Sequence, residues 1–553
     1  MRASTLRNGA VVAALVWTAC SAPTGVATSP ESAIGAEAML DDVRALSADE
    51  MEGRAAGTPG EEKAAAYLEG RFREIGLAPL QGAYRQPVET VSFRKKPEVS
   101  TLSIVGPSGA LELEDGGNVS FWSSSQRDVV DLADAPLLLV GYGVEAPEHA
   151  WDDYKGLDVS GKVLLFLNDD PPVSEDGVEL FGGEARTYYG RWTYKFEEAM
   201  RRGAAGALVV HTTPSASYPF SVVQRNGTEE HFALDLPRSG YQVDLLGWLD
   251  EETSGRIAAG MGTTLDGLFE AAASRDFAPR DTGFRVGAHV ETELRRITTS
   301  NVAGILEGGD PVLKEQVIVL SAHYDHLGTD PGAGGDPIFN GAWDNAAGSA
   351  AILAVAEAFA ATEPRPRRSI LFLACAAEEK GSLGSRWFVA RPPIERRRLV
   401  ANLNVDMPQI FGVTDDIAAI GVETNSLGNA LRAVASAEGI RVTGDPQPNA
   451  GSFYRSDQVN FAKAGIPALF VNPGGEYRQV LPFDPSAYRE AHYHQPSDEV
   501  REEWDLSGLE RDMKVLYRTV ALVADAEEMP RWAPGNEFEE AWRALHGETP
   551  GEP

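Results

Sequence analysis

The run Val317-Ile318-Val319-Leu320-Ser321-Ala322-His323-Tyr324-Asp325-His326-Leu327-Gly328 decides the fold of this chain. It begins with a short apolar segment of the kind that forms a buried strand. His323 and Asp325 follow this segment directly. Polar side chains at the carboxyl end of such a strand indicate a ligand site at the edge of an open parallel sheet.

Two further motifs fit the same pattern. The segment NGAWDNAAGS, residues 340–349, contains Asp344, and LFLACAAEEKGSLGS, residues 371–385, places Glu378 and Glu379 directly after an apolar run. Two adjacent carboxylates at the mouth of a buried strand repel each other unless a cation lies between them. The pattern therefore indicates a metal site.

Alternating strand and helix candidates follow Thr299 and predict the fold class: α/β, with a doubly wound, mostly parallel sheet. The predicted strands are 302–306, 316–321, 369–376, 399–405, 416–421 and 466–471, and the predicted helices are 345–360, 385–390, 426–437 and 506–524. An earlier helix is predicted after the capping-box pattern at Thr58 and ends at Gly76.

Composition excludes some classes of function. The chain has 553 residues, and its 82 acidic and 49 basic side chains give a formal charge of -33. This charge repels phosphate backbones, so nucleic acid is not an expected partner. The sequence contains neither a G-x-G-x-x-G turn after a strand nor a phosphate-binding P-loop, so nucleotide binding is not predicted either.

The N-terminus has the pattern of an export signal. A basic start and a short apolar run predict a signal peptide over residues 1–20, and the four residues before residue 21 resemble the lipobox of bacterial lipoproteins. We therefore expect an exported protein of the cell envelope or periplasm, attached to the membrane only through a lipidated Cys20. Cleavage after Ala19 without lipidation is the alternative, and residues 21–35 are predicted to be a tether.

The remaining chain divides by composition. Residues 36–130 are predicted to be the N-terminal part of a catalytic domain, residues 286–530 its main part, and residues 531–553 an acidic tail that packs only in part. Residues 131–285 resemble the protease-associated domain in GYGVEAP, WDDYKGLDVSGKVLLF and the run that ends in GALVVH. The resemblance implies a smaller α+β module without catalytic residues.

Two later motifs supply further donors. Asp406 lies in NLNVDM and His494 in HYHQPSDE. Imidazole and carboxylate groups are the ligands of hydrolytic two-metal sites, which also need one free carboxylate as a base.

In this order the motifs resemble the zinc-dependent aminopeptidase family, whose relatives include glutamate carboxypeptidase and the transferrin-receptor ectodomain. The resemblance covers about residues 36–524 and implies two zinc ions per chain. It implies that one ion is held by His323, Asp344 and Asp406, and the other by Asp344, Glu379 and His494. It also implies a cis peptide bond between Asp344 and Asn345.

The resemblance implies roles for other residues as well. Glu378 is the expected general base, which takes a proton from a water whose pKa two cations lower and returns it to the leaving amine. Asp325 is expected to orient His323, and Asp498 to do the same near His494. Tyr454 is a candidate donor to the oxyanion. Arg455 is expected to pair with Asp457, with the grip of a substrate carboxylate as the alternative.

These observations predict an exported di-zinc exopeptidase that acts on peptides, and first of all an aminopeptidase that releases N-terminal residues. The alternatives are a zinc carboxypeptidase or dipeptidase of the same family, and a catalytically inactive binding protein of transferrin-receptor type. A single-zinc glutaminyl cyclase also resembles the family, but the donor set favours two metals. The sequence predicts no oligomeric state.

Overall fold

The computed structural model describes residues 29–175, 178–183, 185–237, 242–332 and 335–547. The strands of three or more residues are β1 (Arg85–Lys95), β2 (Thr101–Gly106), β3 (Val119–Trp122), β4 (Val129–Leu139), β5 (Val163–Leu167), β6 (Gly206–Val210), β7 (Glu230–Leu234), β8 (Leu245–Leu249), β9 (Arg280–Leu306), β10 (Val317–His323), β11 (Ser369–Cys375), β12 (Leu399–Val405), β13 (Asp416–Ile420), β14 (Arg441–Thr443) and β15 (Ala468–Asn472).

The α-helices are α1 (Ala36–Leu46), α2 (Pro59–Ile75), α3 (Trp192–Arg201), α4 (Thr213–Ala216), α5 (Glu251–Gly260), α6 (Leu265–Ala272), α7 (Ala347–Ala360), α8 (Leu383–Ala390), α9 (Ser426–Ala437), α10 (Gln458–Lys463), α11 (Pro485–His492), α12 (Ser507–Asp525) and α13 (Glu539–His546). None of these helices is both long and apolar enough to span a bilayer.

The main sheet has the strand order β14-β13-β15-β12-β10-β11-β9-β1-β7. Strands β15, β12, β10 and β11 are parallel to one another. The chain runs from β10 to β11 on one side and then returns to β12 on the other side. Strand β10 is therefore the switch point of a doubly wound sheet, where such sheets bind ligands. The predicted fold class is confirmed.

The central strands are buried on both faces because helices cover each side. Side chains of β10 such as Ile318 and Leu320 pack in one apolar cluster with α1, α2, α7, α9 and α12. The alternate residues Val317 and Val319 pack in another cluster with Phe388 of α8 and Phe461 of α10. This arrangement explains why the sequence of β10 is continuously apolar rather than alternating.

A second sheet has the order β2-β9-β4-β5-β6-β8-β3. Strand β9 belongs to both sheets: residues Arg285 to His289 pair with β2, and Thr292 to Val302 pair with β1. The second sheet also takes β2 and β3 from before residue 131, and β7 joins the main sheet. Its strands therefore extend beyond the predicted boundaries 131–285, and its likeness to a protease-associated domain stays a prediction.

The two ends of the chain contain the predicted signal peptide, tether and acidic tail. Residues 1–28, with the predicted signal peptide and Cys20, lie outside the described residues, as do residues 548–553. The predicted tether already packs from residue 30, where Pro30–Ala33 form a 3-10 helix and Ile34 is buried. In the described part of the predicted tail, Trp532, Phe538 and Trp542 are buried, while most of the residues around them are exposed or half-buried. Aromatic side chains contribute large apolar area, so these three residues are the ones that attach the segment to the fold.

The buried Glu197 of α3 joins the second sheet to the main sheet. Lys463 Nζ lies 2.6 Å from Glu197 Oε1, and the Tyr188 hydroxyl donates to Oε2 of the same carboxylate. Arg201 and Arg386 lie further out, with nitrogens 3.6 and 3.9 Å from its oxygens. One buried carboxylate therefore compensates several cations at this contact.

Replacement of Glu197 should destabilise the protein. Glu197→Gln leaves the surrounding cations without a counter-charge, so we expect the free energy of unfolding to fall by about 3–5 kcal/mol. Denaturant unfolding followed by circular dichroism measures this change. The control Glu252→Gln removes an exposed carboxylate paired with Arg256 on α5 and should cost less than about 0.5 kcal/mol. Equal losses in the two variants would show that Glu197 is not a structural counter-charge.

Candidate metal centre

The predicted donors converge at the carboxyl edge of the parallel strands. His323 is the last residue of β10, Asp406 follows β12, and Glu379 lies four residues after β11. Asp344 comes from the turn that enters α7, and His494 follows α11. Five donors from distant parts of the sequence therefore surround one point of the switch region.

Asp344 lies between two groups of donors. Its Oδ1 is 3.2 Å from Nε2 of His323, which is also 3.3 Å from Asp406 Oδ1. Its Oδ2 is 3.2 Å from Nε2 of His494, which is also 3.2 Å from Glu379 Oε2. The two oxygens of one carboxylate thus face different histidines, as a bridging ligand requires.

These spacings fit metal ions better than direct hydrogen bonds. Zinc holds nitrogen and oxygen ligands at about 2.1 Å in tetrahedral geometry, which places neighbouring donor atoms about 3.4 Å apart. Each histidine nitrogen faces two carboxylate oxygens at 3.2 to 3.3 Å, and a single N–H can point at only one of them. The donor set therefore fits a pair of zinc ions that share Asp344.

His326 is a further candidate donor that the sequence analysis did not single out. Its Nδ1 lies 2.8 Å from Glu379 Oε1, and both atoms are buried without a well-directed hydrogen bond. His326, Asp344 and Glu379 form one of two donor groups whose ligand atoms all lie within 4.8 Å of one another. A cation shared by His326 and Glu379 would satisfy both atoms.

Gly341 permits this approach of the His326 ring. Its φ of 56° is left-handed, and a Cβ at this position would lie 2.5 Å from Cγ of His326 and 2.4 Å from the Asp344 carbonyl oxygen. Only glycine tolerates both conditions. The sequence signal for this role of His326 is its position in HYDH, directly after Asp325 and three residues after His323.

Two carboxylates hold the backbone of the donors. Asp325 accepts from the amide nitrogens of Glu378 at 2.9 Å and Glu379 at 3.3 Å. Asp498 accepts from the amides of Trp343 at 2.9 Å and Asp344 at 3.0 Å. Each carboxylate therefore fixes the segment that carries a predicted metal ligand.

This arrangement changes the expected roles of Asp325 and Asp498. The Asp325 carboxylate is 3.8 Å from Nδ1 of His323, too far for a hydrogen bond, and Nδ1 instead lies 3.2 Å from the Asp325 carbonyl oxygen. His323 is thus oriented by the backbone of Asp325 rather than by its side chain. The carboxylate of Asp498 is occupied by backbone amides and does not orient His494.

Glu378 lies beside the donors, and Ser382 Oγ donates to its Oε1 at 3.0 Å. Burial raises the pKa of the Glu378 carboxyl well above its ordinary value, and the charges of Asp457 and Glu379 raise it further. Glu378 and Glu379 both line a cavity of about 500 Å³ that opens toward the second sheet. Glu378 is therefore accessible to a molecule in that cavity.

The peptide bond between Asp344 and Asn345 is cis, which confirms the prediction. The Asn345 side chain donates to the Val405 carbonyl oxygen at 3.0 Å and accepts from the Gly348 amide at 2.9 Å. It therefore connects the start of α7 to the strand that precedes Asp406.

The structure places Tyr454 differently from the prediction. Its hydroxyl donates to Glu537 Oε1 at 2.5 Å, and its ring packs against Tyr188 and Phe538. This contact occupies the hydroxyl, so the predicted oxyanion role gains no support. Tyr493, which the sequence analysis passed over, stacks on His494, and burial together with the charges of Asp344 and Glu379 raises the pKa of its hydroxyl.

Arg54 stabilises the backbone around the metal donors. This fully buried guanidinium donates to four backbone carbonyl oxygens, those of Leu46, Tyr324, Asn340 and Gly341, at 2.6 to 2.8 Å. Burial lowers the pKa of Arg54 to about 10, while the charges of Asp498 and Asp325 oppose this change. The cation thus ties the N-terminal segment to the two loops that carry the donors, and it partly balances their negative charge.

Removal of Arg54 should destabilise the fold and the centre together. Arg54→Met leaves four buried carbonyls without donors, so we expect the free energy of unfolding to fall by at least about 3 kcal/mol. Thermal and denaturant unfolding measure this loss. The control Arg44→Met removes an exposed arginine paired with Asp41 and should change stability by less than about 1 kcal/mol. Wild-type stability of Arg54→Met would contradict the proposed support.

The donor set consists of the imidazole and carboxylate groups that hydrolytic zinc sites use. Residues 301–520 match the sequence model of peptidase family M28. All the predicted metal donors lie within these matched residues.

Known proteins similar to this chain include two curated relatives. Leupeptin-inactivating enzyme 1 of Streptomyces exfoliatus is 29% identical over 200 residues, which cover 34% of this chain and 40% of that protein. Aminopeptidase NAALADL1 of Mus musculus is 23% identical over 438 residues, which cover 69% of this chain and 54% of that protein. The chain thus spans about half or less of the length of these relatives.

Among solved structures, the aminopeptidase from Aneurinibacillus sp. strain AM-1 is similar, with a TM-score of 0.49 and 19% sequence identity. The similarity covers 91% of this chain and 96% of that one.

Proposed function

We propose that this protein is a di-zinc exopeptidase that hydrolyses peptide bonds and releases N-terminal residues. The observation that carries the proposal is the position of Asp344, whose two oxygens face separate histidines with Glu378 alongside. The family match supports peptide hydrolysis, and one relative is named an aminopeptidase. The acidic surroundings of the centre would attract the protonated α-amino group of a peptide.

The structure offers donors for each ion. His323, Asp344 and Asp406 would hold one zinc, and Asp344, Glu379 and His494 would hold the other, with His326 as a further donor on the Glu379 side. When bound, zinc polarises a carbonyl and lowers the pKa of water toward 7. The remaining groups of the centre then position the substrate and move protons.

Glu378 is the group that moves the proton in this proposal. Its carboxylate accepts a proton from the attacking water and delivers it to the nitrogen of the leaving amine. Asp325 fixes the Glu378 amide and Ser382 donates to the carboxylate, so the side chain is held in one place. The ring of Tyr493 stacks on His494, and in this proposal its hydroxyl is the donor to the substrate oxygen in place of Tyr454.

The metal content provides a direct test. The zinc-reconstituted protein should bind two ions per chain, measured by elemental analysis after dialysis. Asp344→Asn should lose both ions because the residue serves both groups, and His326→Asn should weaken the binding of one ion only. Asp445→Asn, in an exposed loop, is the control and should keep two ions. One ion or fewer in the wild-type protein would exclude the bridging role of Asp344.

Substitution of the proposed base separates chemistry from metal binding. Glu378→Gln should lower kcat by a factor of about 10² to 10⁴, because a general base contributes about that much, while the zinc content stays the same. Hydrolysis of aminoacyl substrates and elemental analysis of the same preparation measure the two effects. Glu502→Gln, on the surface, should keep full activity. Retention of full activity by Glu378→Gln would show that the base lies elsewhere.

A further inference from the structure

The cavity beside Glu378 and Glu379 is built from both sheets. Its catalytic side includes Arg455 and Tyr493, and its other side is formed by the segment before α3 and by the loop after β6, which contribute Arg191 and Tyr218. A peptide bound at the metal centre would therefore extend along side chains from the second sheet.

Four cationic side chains line this cavity, and they fall into two pairs. Lys463 and Arg386 face Glu197, at 2.6 and 3.9 Å, and are compensated by it. Among the described residues, no carboxylate lies within ion-pair distance of Arg191 or Arg455. The expected pair between Arg455 and Asp457 does not form: Arg455 Nε donates to the Ala450 carbonyl oxygen at 3.0 Å instead. Two uncompensated cations are unexpected in a chain with a net charge of -33.

Arg191 is the more unusual of the two because it is buried. It is only 8% exposed, and its Nε has no hydrogen-bond partner. Burial and, to a smaller extent, the nearby charge of Arg455 lower the pKa of Arg191 to about 9. A buried guanidinium without a counter-charge is costly, so a residue of this kind indicates an anion that is bound during function.

The loop that carries Arg455 holds Arg191 in place. A Cβ at Gly451 would lie 3.3 Å from Cδ of Arg191 and 3.2 Å from Cδ of Arg186, so both side chains pack against this glycine. Arg186 is already occupied, since it donates to the carbonyl oxygens of Asn449 at 3.1 Å and Ser215 at 2.9 Å. Arg191 and Arg455 therefore remain as the two arginines of the cavity that have no carboxylate partner among the described residues.

Tyr493 connects this pair to the metal centre. Its ring stacks on His494, and the same tyrosine lines the cavity together with Arg191 and Arg455. The arginine pair therefore shares one cavity with Glu378 and Glu379.

We propose that Arg191 and Arg455 form a receptor for a carboxylate of the peptide substrate. This inference rests on the proposed function and narrows its substrate class to short peptides that carry a carboxylate next to the scissile bond. Guanidinium groups match the planar, bidentate geometry of a carboxylate, and a peptide has two sources of this group. One is the free C-terminus of the leaving residue, which would make the protein a dipeptidase. The other is an acidic side chain.

Matched peptides test the proposal. The zinc-loaded protein is given a dipeptide with a free C-terminus, its C-terminal amide, and amides with Glu or Asp on either side of the scissile bond. We expect kcat/KM to be about 10 to 100 times higher for a peptide with the preferred carboxylate than for the neutral amide, as for other charge-assisted contacts. The preferred member of the set identifies the source of the carboxylate.

Variants assign the effect to the two arginines. Arg455→Gln should raise KM for the carboxylate peptide and remove most of the preference, while hydrolysis of the neutral amide stays the same. Arg191→Gln should do the same, and if this buried variant does not fold, the exposed Arg455 still provides the test. The control Arg386→Gln lies in the same cavity but faces Glu197, and it should keep the preference.

Three results would overturn the proposal. Equal kcat/KM for carboxylate and neutral peptides in the wild-type protein would exclude a carboxylate receptor but leave the exopeptidase function intact. An unchanged preference in Arg455→Gln would place the receptor elsewhere. Failure of the zinc-loaded protein to hydrolyse any peptide of the set would reject the proposed function and this inference with it.

Discussion

The concentration of buried carboxylates at one edge of the parallel strands is the constraint on which the rest of this structure depends. The side chains of Asp325, Asp344, Glu379 and Asp498 are all buried or nearly buried there. Like charges at this density repel strongly in a medium of low dielectric constant. The fold tolerates them because each group has a cation, an imidazole or backbone amides nearby.

The negative charge of these carboxylates is compensated in two ways. Asp325 and Asp498 each accept hydrogen bonds from two backbone amides, which stabilise the negative charge of the carboxylate. The same hydrogen bonds hold the segments that carry Glu378, Glu379 and Asp344. The carboxylates that are predicted metal donors instead face histidine nitrogens, at distances that fit two ligands of one metal ion. The buried guanidinium of Arg54 adds a fixed positive charge that acts on both groups of carboxylates. Rigid support of this kind keeps catalytic groups in a productive geometry without rearrangement during the reaction.

The second sheet shapes the space in front of the centre. It is attached by the long strand β9, by the charges around Glu197, and by the C-terminal segment, where Glu537 accepts from Tyr454. These contacts leave a cavity whose wall includes Arg191 next to Arg455. The second sheet, which contributes none of the predicted metal donors, thus takes part in the choice of substrate in our proposal. The acidic centre alone would repel a carboxylate.

The sequence by itself determined the order of strands and helices after residue 299, the helix from Pro59 to Ile75 and the donors His323, Asp344, Glu379, Asp406 and His494. These features are local: apolar runs mark buried strands, caps mark helix ends, and His323, Glu379 and Asp406 lie at or shortly after the ends of strands. Only the tertiary structure decided that His326 faces Glu379, that Asp325 and Asp498 hold backbone amides, and that Tyr454 pairs with Glu537. It also packed the two chain ends and brought Arg191 beside Arg455. Each of these contacts joins residues whose directions depend on how loops turn and on how the two sheets meet, and no periodicity or spacing within one segment records that geometry.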